Sequence, residues 1–331
     1  MPKHANVALF VPFNGCPHRC SFCDQRSITG KASQPTPQDV KSAIETALDS
    51  LKENSNHSEI AFFGGSFTAI DREYMISLLD ATAPYIDRFK GIRISTRPDC
   101  IDDEVLSLLK AYHLTSVELG AQSMSDAVLS ANDRGHTADD VRRASKLIKD
   151  HGFALGLQMM TGLYQSTPAS DIATAEAFIA LQPSTVRIYP TIVMKGTRLA
   201  ELYEAGEYHP QTLDEAVELC TRLMRLFEEN GVRVIRVGLH DSESLKKNRL
   251  AGPYHPAFRE LCESRIMLDK AVALLKDKAP GPYTLRVHPK CRSKMTGNKK
   301  SNLTALRAMG YEITITEDET ISDLDVVFGE R

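Results

Sequence analysis

Short apolar runs that alternate with longer amphipathic segments constrain the fold of this chain more than any other feature. The runs predict seven β-strands, at Val7–Pro12, Glu59–Phe63, Gly91–Thr96, Ser116–Gly120, Ala154–Met159, Thr185–Pro190 and Arg233–Leu239. The amphipathic segments predict six helices, at Thr36–Asn54, Asp71–Arg88, Asp102–Tyr112, Thr137–His151, Ser170–Leu181 and Thr212–Asn230. Repeated strand–helix units favour a parallel sheet. The sequence therefore predicts an α/β fold, a partial (β/α)6-type barrel or a complete one, with a doubly wound sheet as the alternative.

Several helix boundaries carry capping signals of their own. Pro37 occupies a first-turn position, and Ser170 predicts the start of a later helix. Gly152 and Gly231 follow two predicted helices and indicate C-caps.

The regular alternation ends near residue 239, so the sequence predicts three regions. Residues 1–240 would form the barrel, 241–280 a helical and loop extension, and 281–331 a small α/β domain. The last region is predicted to contain a strand, a helix, a glycine turn, a helix and a strand, at Thr284–Val287, Lys290–Met295, Gly297, Ser301–Met309 and Tyr311–Thr316.

Composition and charge exclude several classes of protein. The formal net charge is -3, so a nucleic-acid partner would need a local basic patch. No apolar run approaches the roughly 20 residues that cross a bilayer. The N-terminal apolar run ends at Pro12 without a small-residue cleavage site, so no signal peptide is predicted. The predicted location is the cytoplasm, where thiols stay reduced and clustered cysteines indicate a metal or catalysis.

Three of the seven cysteines, Cys16, Cys20 and Cys23, follow the first predicted strand directly. Barrel folds place their chemistry at the carboxyl ends of strands. Three thiolates fit a [4Fe–4S] cluster in which one iron stays open to a small chelating molecule. A structural zinc site with His18 as the fourth ligand is the alternative, although such sites usually draw four ligands from two separate arms.

The second predicted strand ends in "AFFGGSFT", whose Gly64 and Gly65 let the backbone approach a ligand closely. Together with the C-x3-C-x2-C spacing and Phe22 before the last cysteine, this pattern resembles the radical S-adenosylmethionine (SAM) superfamily. More narrowly, "SVELGAQSMSDAVL", "RGHT", "GLQMMTGL" and "RIYPTIVMKGTRLAELYEAGEY" resemble the radical SAM domain of the Elongator catalytic subunit. They resemble oxygen-independent coproporphyrinogen oxidase more loosely. The resemblance covers about residues 7–239, and no acetyltransferase domain is expected.

The resemblance implies that the three clustered cysteines ligate a [4Fe–4S] cluster. Reduced by an external electron donor, the cluster would cleave SAM to methionine and a 5′-deoxyadenosyl radical, which abstracts hydrogen from a substrate in the barrel mouth. The other cysteines lack paired spacing, so they predict core residues rather than a second cluster and disfavour methylthio transfer; they are Cys100, Cys220, Cys262 and Cys291.

The same resemblance places SAM contacts on the second and third strands. Gly64, Gly65 and Ser66 would meet the SAM amino group. Ser95 and Arg97, in "RISTRPD", would face the ribose or the carboxylate region.

Further SAM contacts are implied on and after the fourth and fifth strands. Glu118 and Gln122 would contact polar groups of SAM, and Gln158 would lie near its ribose. Arg134 would pair with the SAM carboxylate, which suits the fork geometry of a guanidinium. An ordinary ion pair between Glu118 and Arg134 is the alternative.

The segment "SKMTGNKKSNLTALRAMGYEITI" gives the last region a β-α-α-β order. This order resembles a KH-type RNA-binding unit, whose GXXG loop contacts the RNA backbone. Here the loop runs from Gly297 to Lys300 and lacks the second glycine, so Lys294, Lys299 and Lys300 would meet phosphates instead. No acidic residue occurs from 285 to 308. A lysine-rich solvated face is the alternative.

These signals predict a radical SAM enzyme that modifies RNA, with tRNA favoured because Elongator-like enzymes act on tRNA. Tyr189 and Arg236 either line a substrate pocket or belong to the core. Two alternatives stay open. One is a radical SAM enzyme for a small molecule such as a tetrapyrrole, and the other is a non-catalytic RNA-binding protein with a structural metal. The oligomeric state is not predicted.

Overall fold

The computed structural model describes residues 6–12, 16, 20–23 and 33–329. Seven parallel strands form one sheet in the order β1-β2-β3-β4-β5-β6-β8. They are β1 (Asn6–Val11), β2 (Glu59–Gly64), β3 (Gly91–Thr96), β4 (Leu114–Gln122), β5 (Ala154–Thr161), β6 (Thr185–Pro190) and β8 (Arg233–Val237). The short strands β7 (Val193–Met194) and β9 (Arg249–Ala251) pair with each other in a separate sheet. No pairing joins β8 to β1 within the described residues, so the sheet is an open half-barrel. The predicted partial α/β barrel is confirmed.

Helices lie between the strands, and all six predicted helices are present. The helices of this region are α1 (Pro37–Leu51), α2 (Arg72–Asp80), α3 (Asp103–Ala111), α4 (Asp126–Ala131), α5 (Ala138–Asp150), α6 (Pro168–Ala180), α7 (Arg198–Glu204), α8 (Leu213–Glu229), α9 (Glu243–Asn248) and α10 (Phe258–Leu275). The predicted helix 71–88 is divided: α2 is followed by a separate 3-10 turn, Ala83–Arg88. Pro84 lies at the start of that turn and cannot donate a helical hydrogen bond.

The predicted start of α6 at Ser170 is wrong. The helix begins at Pro168, and the Thr167 side chain caps it by accepting a hydrogen bond from the Ser170 backbone N–H. The C-caps predicted at Gly152 and Gly231 are confirmed, since both residues have left-handed backbone angles.

The two faces of the sheet differ in polarity because side chains alternate along each strand. The outer face is apolar and packs against the helices; fully buried examples are Ile60, Phe62, Ile92 and Ile94. The inner face carries polar and charged groups, and the strand register sets Glu118 beside Ser95 and Arg187 beside Gln158. The curl of the sheet therefore turns a polar surface towards the interior of the half-barrel.

A smaller sheet follows the half-barrel. It contains β10 (Gly281–Val287) between β11 (Tyr311–Glu317), which is parallel to it, and β12 (Val326–Phe328), which is antiparallel. The connecting helices α11 (Arg292–Thr296) and α12 (Ser301–Ala308) complete the predicted β-α-α-β order. The sequence did not predict β12.

Helix α10 joins the two parts of the chain. Phe258, Cys262 and Ile266 belong to the main core, whereas Met267 and Ala271 belong to the core of the small sheet. Because α10 contributes side chains to both cores, the predicted domain boundaries at residues 240 and 280 stay a proposal. In the described part of the chain, no helix is both long and apolar enough to cross a membrane.

Candidate active site

The cysteine segment lies at the carboxyl ends of the strands. The Cys20 sulfur accepts a hydrogen bond from Arg134 Nη1 at 3.0 Å. Cys16 is exposed as a residue, and its thiol lies close enough to the backbone of Ser66 for that N–H to lower its pKa. Partial desolvation and the nearby Cys20 sulfur raise the pKa of Cys16, while the Arg97 and Arg134 guanidinium groups oppose that shift. The fold thus brings two of the three predicted ligands to the glycine turn and to the "RGHT" loop.

Ser21 anchors the same segment to two other parts of the chain. Its hydroxyl donates to Asn132 Oδ1 at 2.8 Å, and its carbonyl accepts from the Leu199 backbone N–H at 2.8 Å. Phe22 packs on the apolar cluster around Leu199 and Tyr208, which holds the segment on the protein surface beside α7. No sequence signal indicated these anchors.

The described residues contain no group of three or more His, Cys, Asp or Glu side chains arranged to hold a metal ion. Cys23 is partly buried and donates its backbone N–H to Cys20 O at 3.1 Å. His18, the predicted zinc ligand, lies outside the described residues. The donor chemistry nevertheless fits an iron–sulfur cluster, because thiol sulfurs are the ligands that such clusters take and the Cys20 sulfur already accepts an N–H from Arg134.

The glycine turn after β2 requires a residue without a side chain. Gly64 has a φ of +125°, and a Cβ there would lie 2.6 Å from Val11 O. The next residue, Gly65, donates its N–H to the same carbonyl at 3.0 Å. The turn is therefore fixed against the end of β1, beside the cysteine segment.

Gly64→Ala is expected to lower the free energy of unfolding by about 2–3 kcal/mol, because it forces backbone strain. Gly120→Ala is the control: the added Cβ would lie 3.1 Å from Gln122 Nε2, the mobile end of a side chain. The control is expected to lose less than about 1 kcal/mol. Chemical denaturation followed by circular dichroism checks both values. Equal losses would contradict the assigned role of Gly64.

Arg97 and Arg134 form a buried polar group at the mouth. Arg97 binds Asp99 through two hydrogen bonds of 2.9 and 2.7 Å and donates to Arg134 O at 2.6 Å. Arg134 also donates to Gly120 O. Within the described residues, Arg97 Nη1, Arg134 Nε and Gln122 Oε1 are buried without a hydrogen-bond partner. Buried polar atoms are rarely left unpaired, so this group fits a polar ligand that the protein alone does not supply.

Ser66 and Ser95 use their hydroxyl groups within the protein. Ser66 Oγ lies 2.7 Å from Thr96 Oγ1 and accepts from the Arg97 backbone N–H at 3.2 Å. Ser95 Oγ accepts from Gln158 Nε2 at 3.5 Å. Their predicted SAM contacts stay predictions.

Glu59, Arg93, Glu118 and Arg187 form a buried ion cluster on the inner face, here called the inner ion cluster. Arg93 bridges the two carboxylates at 2.7 and 2.9 Å. Arg187 binds Glu118 at 2.7 Å, and Gln158 donates to the same carboxylate at 2.9 Å. The alternative pairing of Glu118 with Arg134 is therefore wrong. Sequence reasoning missed the other three members, although charges within apolar strands were a usable signal.

Comparison with known families identifies the class of protein. The radical SAM superfamily profile matches residues 10–177, and the Radical_SAM C-terminal domain matches residues 183–267. The chain belongs to the radical SAM superfamily and is a radical SAM enzyme, in a family whose cofactors are a [4Fe–4S] cluster and SAM. The membership predicted from the cysteine and glycine motifs is confirmed.

The most similar proteins include tRNA-modifying relatives. The chain is 31% identical to the tRNA uridine(34) acetyltransferase of Methanocaldococcus jannaschii over 265 residues, which cover 65% of this chain and 47% of that protein. It is 30% identical to human Elongator complex protein 3 over 241 residues, covering 66% and 43%. The chain thus spans less than half the length of each relative. Archaeal Methanocaldococcus infernus Elp3, lacking residues 1–46, superposes with a TM-score of 0.65 at 21% identity, covering 84% and 68%. At that identity it shows the fold alone.

Proposed function

We propose that this chain is a radical SAM enzyme that modifies RNA, with tRNA as the substrate class. The observation that carries the proposal is the 30–31% identity to relatives named for tRNA uridine modification and for Elongator. When bound, the cluster and SAM would supply a 5′-deoxyadenosyl radical, with electrons from an external donor. The cytoplasmic location stays a prediction.

The residues at the mouth have separate roles in this proposal. Cys16, Cys20 and Cys23 would hold the cluster, and Arg134 would stabilise the Cys20 thiolate through its 3.0 Å hydrogen bond. The backbone of residues 64–66 would meet the SAM amino group, because this turn lies at the carboxyl end of β2 and is fixed against the end of β1.

The unpaired atoms of the mouth would complete the SAM site. Arg97 Nη1 and Arg134 Nε would donate to the SAM carboxylate, and Gln122 Oε1 would accept from a hydroxyl or amine. Glu118 and Gln158 stay predicted SAM contacts, although both already bond within the inner face.

The small C-terminal sheet supports the RNA part of the proposal through one exposed loop. Lys299 and Lys300 are exposed and have left-handed backbone angles, with φ of 50° and 65°. Gly297 also has a left-handed angle, and a Cβ there would lie 2.4 Å from Ser301 Oγ. The loop backbone therefore has the positive φ angles that glycine favours, although Lys299 and Lys300 occupy two of its positions and expose their side chains to solvent.

The other predicted RNA contacts are less available. Lys294 binds Glu263 at 2.8 Å, and its side chain is 24% exposed. Two further cations of the segment 285–308, Arg286 and Arg292, form ion pairs with Asp318, which directly follows β11, and with Glu317, the last residue of β11. We propose Lys299 and Lys300 as the main phosphate contacts, with Lys294 as a support of the loop.

The Lys299→Ala/Lys300→Ala double variant is expected to weaken tRNA binding and to leave SAM cleavage unchanged. The plot of log K against log salt concentration has a negative slope, and loss of two phosphate contacts makes that slope less steep by about 1.5–2. Fluorescence anisotropy at several salt concentrations measures affinity and slope together. Lys146→Ala/Lys149→Ala, on the exposed face of α5, is the matched control. An unchanged slope in the loop variant would exclude this loop as the RNA contact.

A small-molecule substrate such as a tetrapyrrole is the alternative. It predicts that wild-type protein cleaves SAM but binds tRNA no better than the loop variant does. The same two measurements therefore separate the candidates.

A further inference from the structure

Among the described residues of the inner face, one arginine is not neutralised by a carboxylate. In the inner ion cluster, two arginines balance two glutamates. Arg236 lies on β8, beside Arg187 in the strand register. Its Nε donates to Gly238 O at 3.2 Å, and no ion pair to a carboxylate is found for it among the described residues. This half-buried guanidinium therefore keeps donors for another group.

Tyr189 presents a second donor on the neighbouring strand. Strand alternation puts Tyr189 on the same face of β6 as Arg187, two residues further along, and Arg187 lies opposite Arg236 in the strand register. The phenol O–H of Tyr189 is therefore a hydrogen-bond donor on the same face as the Arg236 guanidinium. Burial raises the pKa of Tyr189, which keeps that proton in place at neutral pH.

We infer that Arg236 and Tyr189 form an anion-binding subsite on the inner face, next to the edge strand β8, that takes a phosphate or a carboxylate of the substrate. Arginine binds both groups through paired N–H donors, and the phenol adds a third. Glu118 does not compete for Arg236, because its carboxylate already accepts from Arg93, Arg187 and Gln158. The inference rests on the proposed use of the barrel mouth as the reaction site, but not on RNA being the substrate.

Two kinds of substrate contain an anion that this subsite would bind. RNA would supply a phosphate of the nucleotide that enters the half-barrel. A small substrate or co-substrate would supply a carboxylate. Both contain the same acceptor oxygens, so the site alone does not distinguish them, and separate probes are needed.

Isothermal titration calorimetry tests the subsite on the full chain, reconstituted anaerobically with its cluster and saturated with SAM. The probes are inorganic phosphate, uridine 5′-monophosphate and succinate. Arg236→Gln is expected to weaken the binding of any probe that binds by about tenfold or more, as loss of a charged hydrogen-bonding group does. Arg236→Lys should lose less. Arg233→Gln makes the same change at the exposed start of β8 and should leave the affinity unchanged.

Tyr189→Phe removes only the O–H and provides a second test if Arg236→Gln does not fold; it should weaken binding several-fold. Binding of phosphate or the nucleotide alone supports a phosphate source, and binding of succinate alone supports a carboxylate source. If no probe binds the wild type, or if Arg236→Gln and Tyr189→Phe bind as the wild type does, the subsite is overturned. Deoxyadenosine is measured on the same samples. Anion binding without SAM cleavage would contradict the proposed function and still support the subsite.

Discussion

Cys20→Ala is expected to abolish the formation of 5′-deoxyadenosine. Cys20 is buried, and its sulfur accepts an Arg134 N–H at 3.0 Å, so this sulfur is fixed in position at the mouth of the half-barrel. Removal of a direct ligand should cost more than the 10–100-fold typical of losing a hydrogen-bond partner of a ligand. We therefore expect a loss of more than about 100-fold, together with a loss of bound iron.

The test reconstitutes the protein anaerobically with iron and sulfide and reduces it in the presence of SAM. Electron paramagnetic resonance follows the cluster, and chromatography follows deoxyadenosine. Cys262→Ala removes the same atoms from the main core and should keep activity at a stability cost of about 1 kcal/mol. Undiminished deoxyadenosine in Cys20→Ala, or zinc bound by sulfur without any effect of SAM, would contradict the cluster assignment.

Much of the fold could be predicted because strand–helix alternation is a local signal. The predicted strand 91–96 coincides with β3, and the predicted strand 233–239 exceeds β8 by two residues. Short elements were missed for the opposite reason. Helix α4 has six residues, fewer than two turns, and a periodic pattern is not readable over that length.

The candidate site, like the fold, could be predicted only where the signal is local in sequence. The cysteines and glycines stand out because each motif is contiguous in sequence. The inner ion cluster joins residues from four strands: Arg93 meets Glu59 and Glu118 across separations of 34 and 25 residues. A sequence shows that a charge lies within an apolar strand, but not which partner the sheet register brings to it. Likewise, Lys294 reads as a free surface cation until the fold places Glu263 against it.

Arg93→Met is expected to lower the free energy of unfolding at pH 7 by about 3–5 kcal/mol, because removal of one partner leaves buried charges uncompensated. The side chains of Arg93, Glu59 and Glu118 are 8%, 0% and 1% exposed. Glu118 keeps Arg187, so the main loss falls on Glu59. Denaturation followed by circular dichroism, repeated from pH 3 to pH 8, measures the effect.

The pH dependence identifies the charge as the cause. Burial raises the pKa of Glu59, but Arg93 and hydrogen bonds from Thr115 and Ser116 outweigh it, so the pKa is lowered. The stability gained from this carboxylate is therefore complete above its unfolded pKa of about 4.3 and is lost as the pH falls through the folded value. In Arg93→Met burial acts with less opposition, so the pKa of Glu59 is expected to rise and protonation removes the cost of its buried charge. The loss of stability relative to wild type should therefore shrink as the pH falls. The double variant Arg93→Met/Glu59→Gln should recover part of the stability that Arg93→Met loses.

Arg72→Met is the control, because it removes an exposed ion pair with Glu104 and should cost less than about 1 kcal/mol. An equal loss of stability in Arg93→Met and Arg72→Met would show that the buried cluster adds nothing beyond a surface pair.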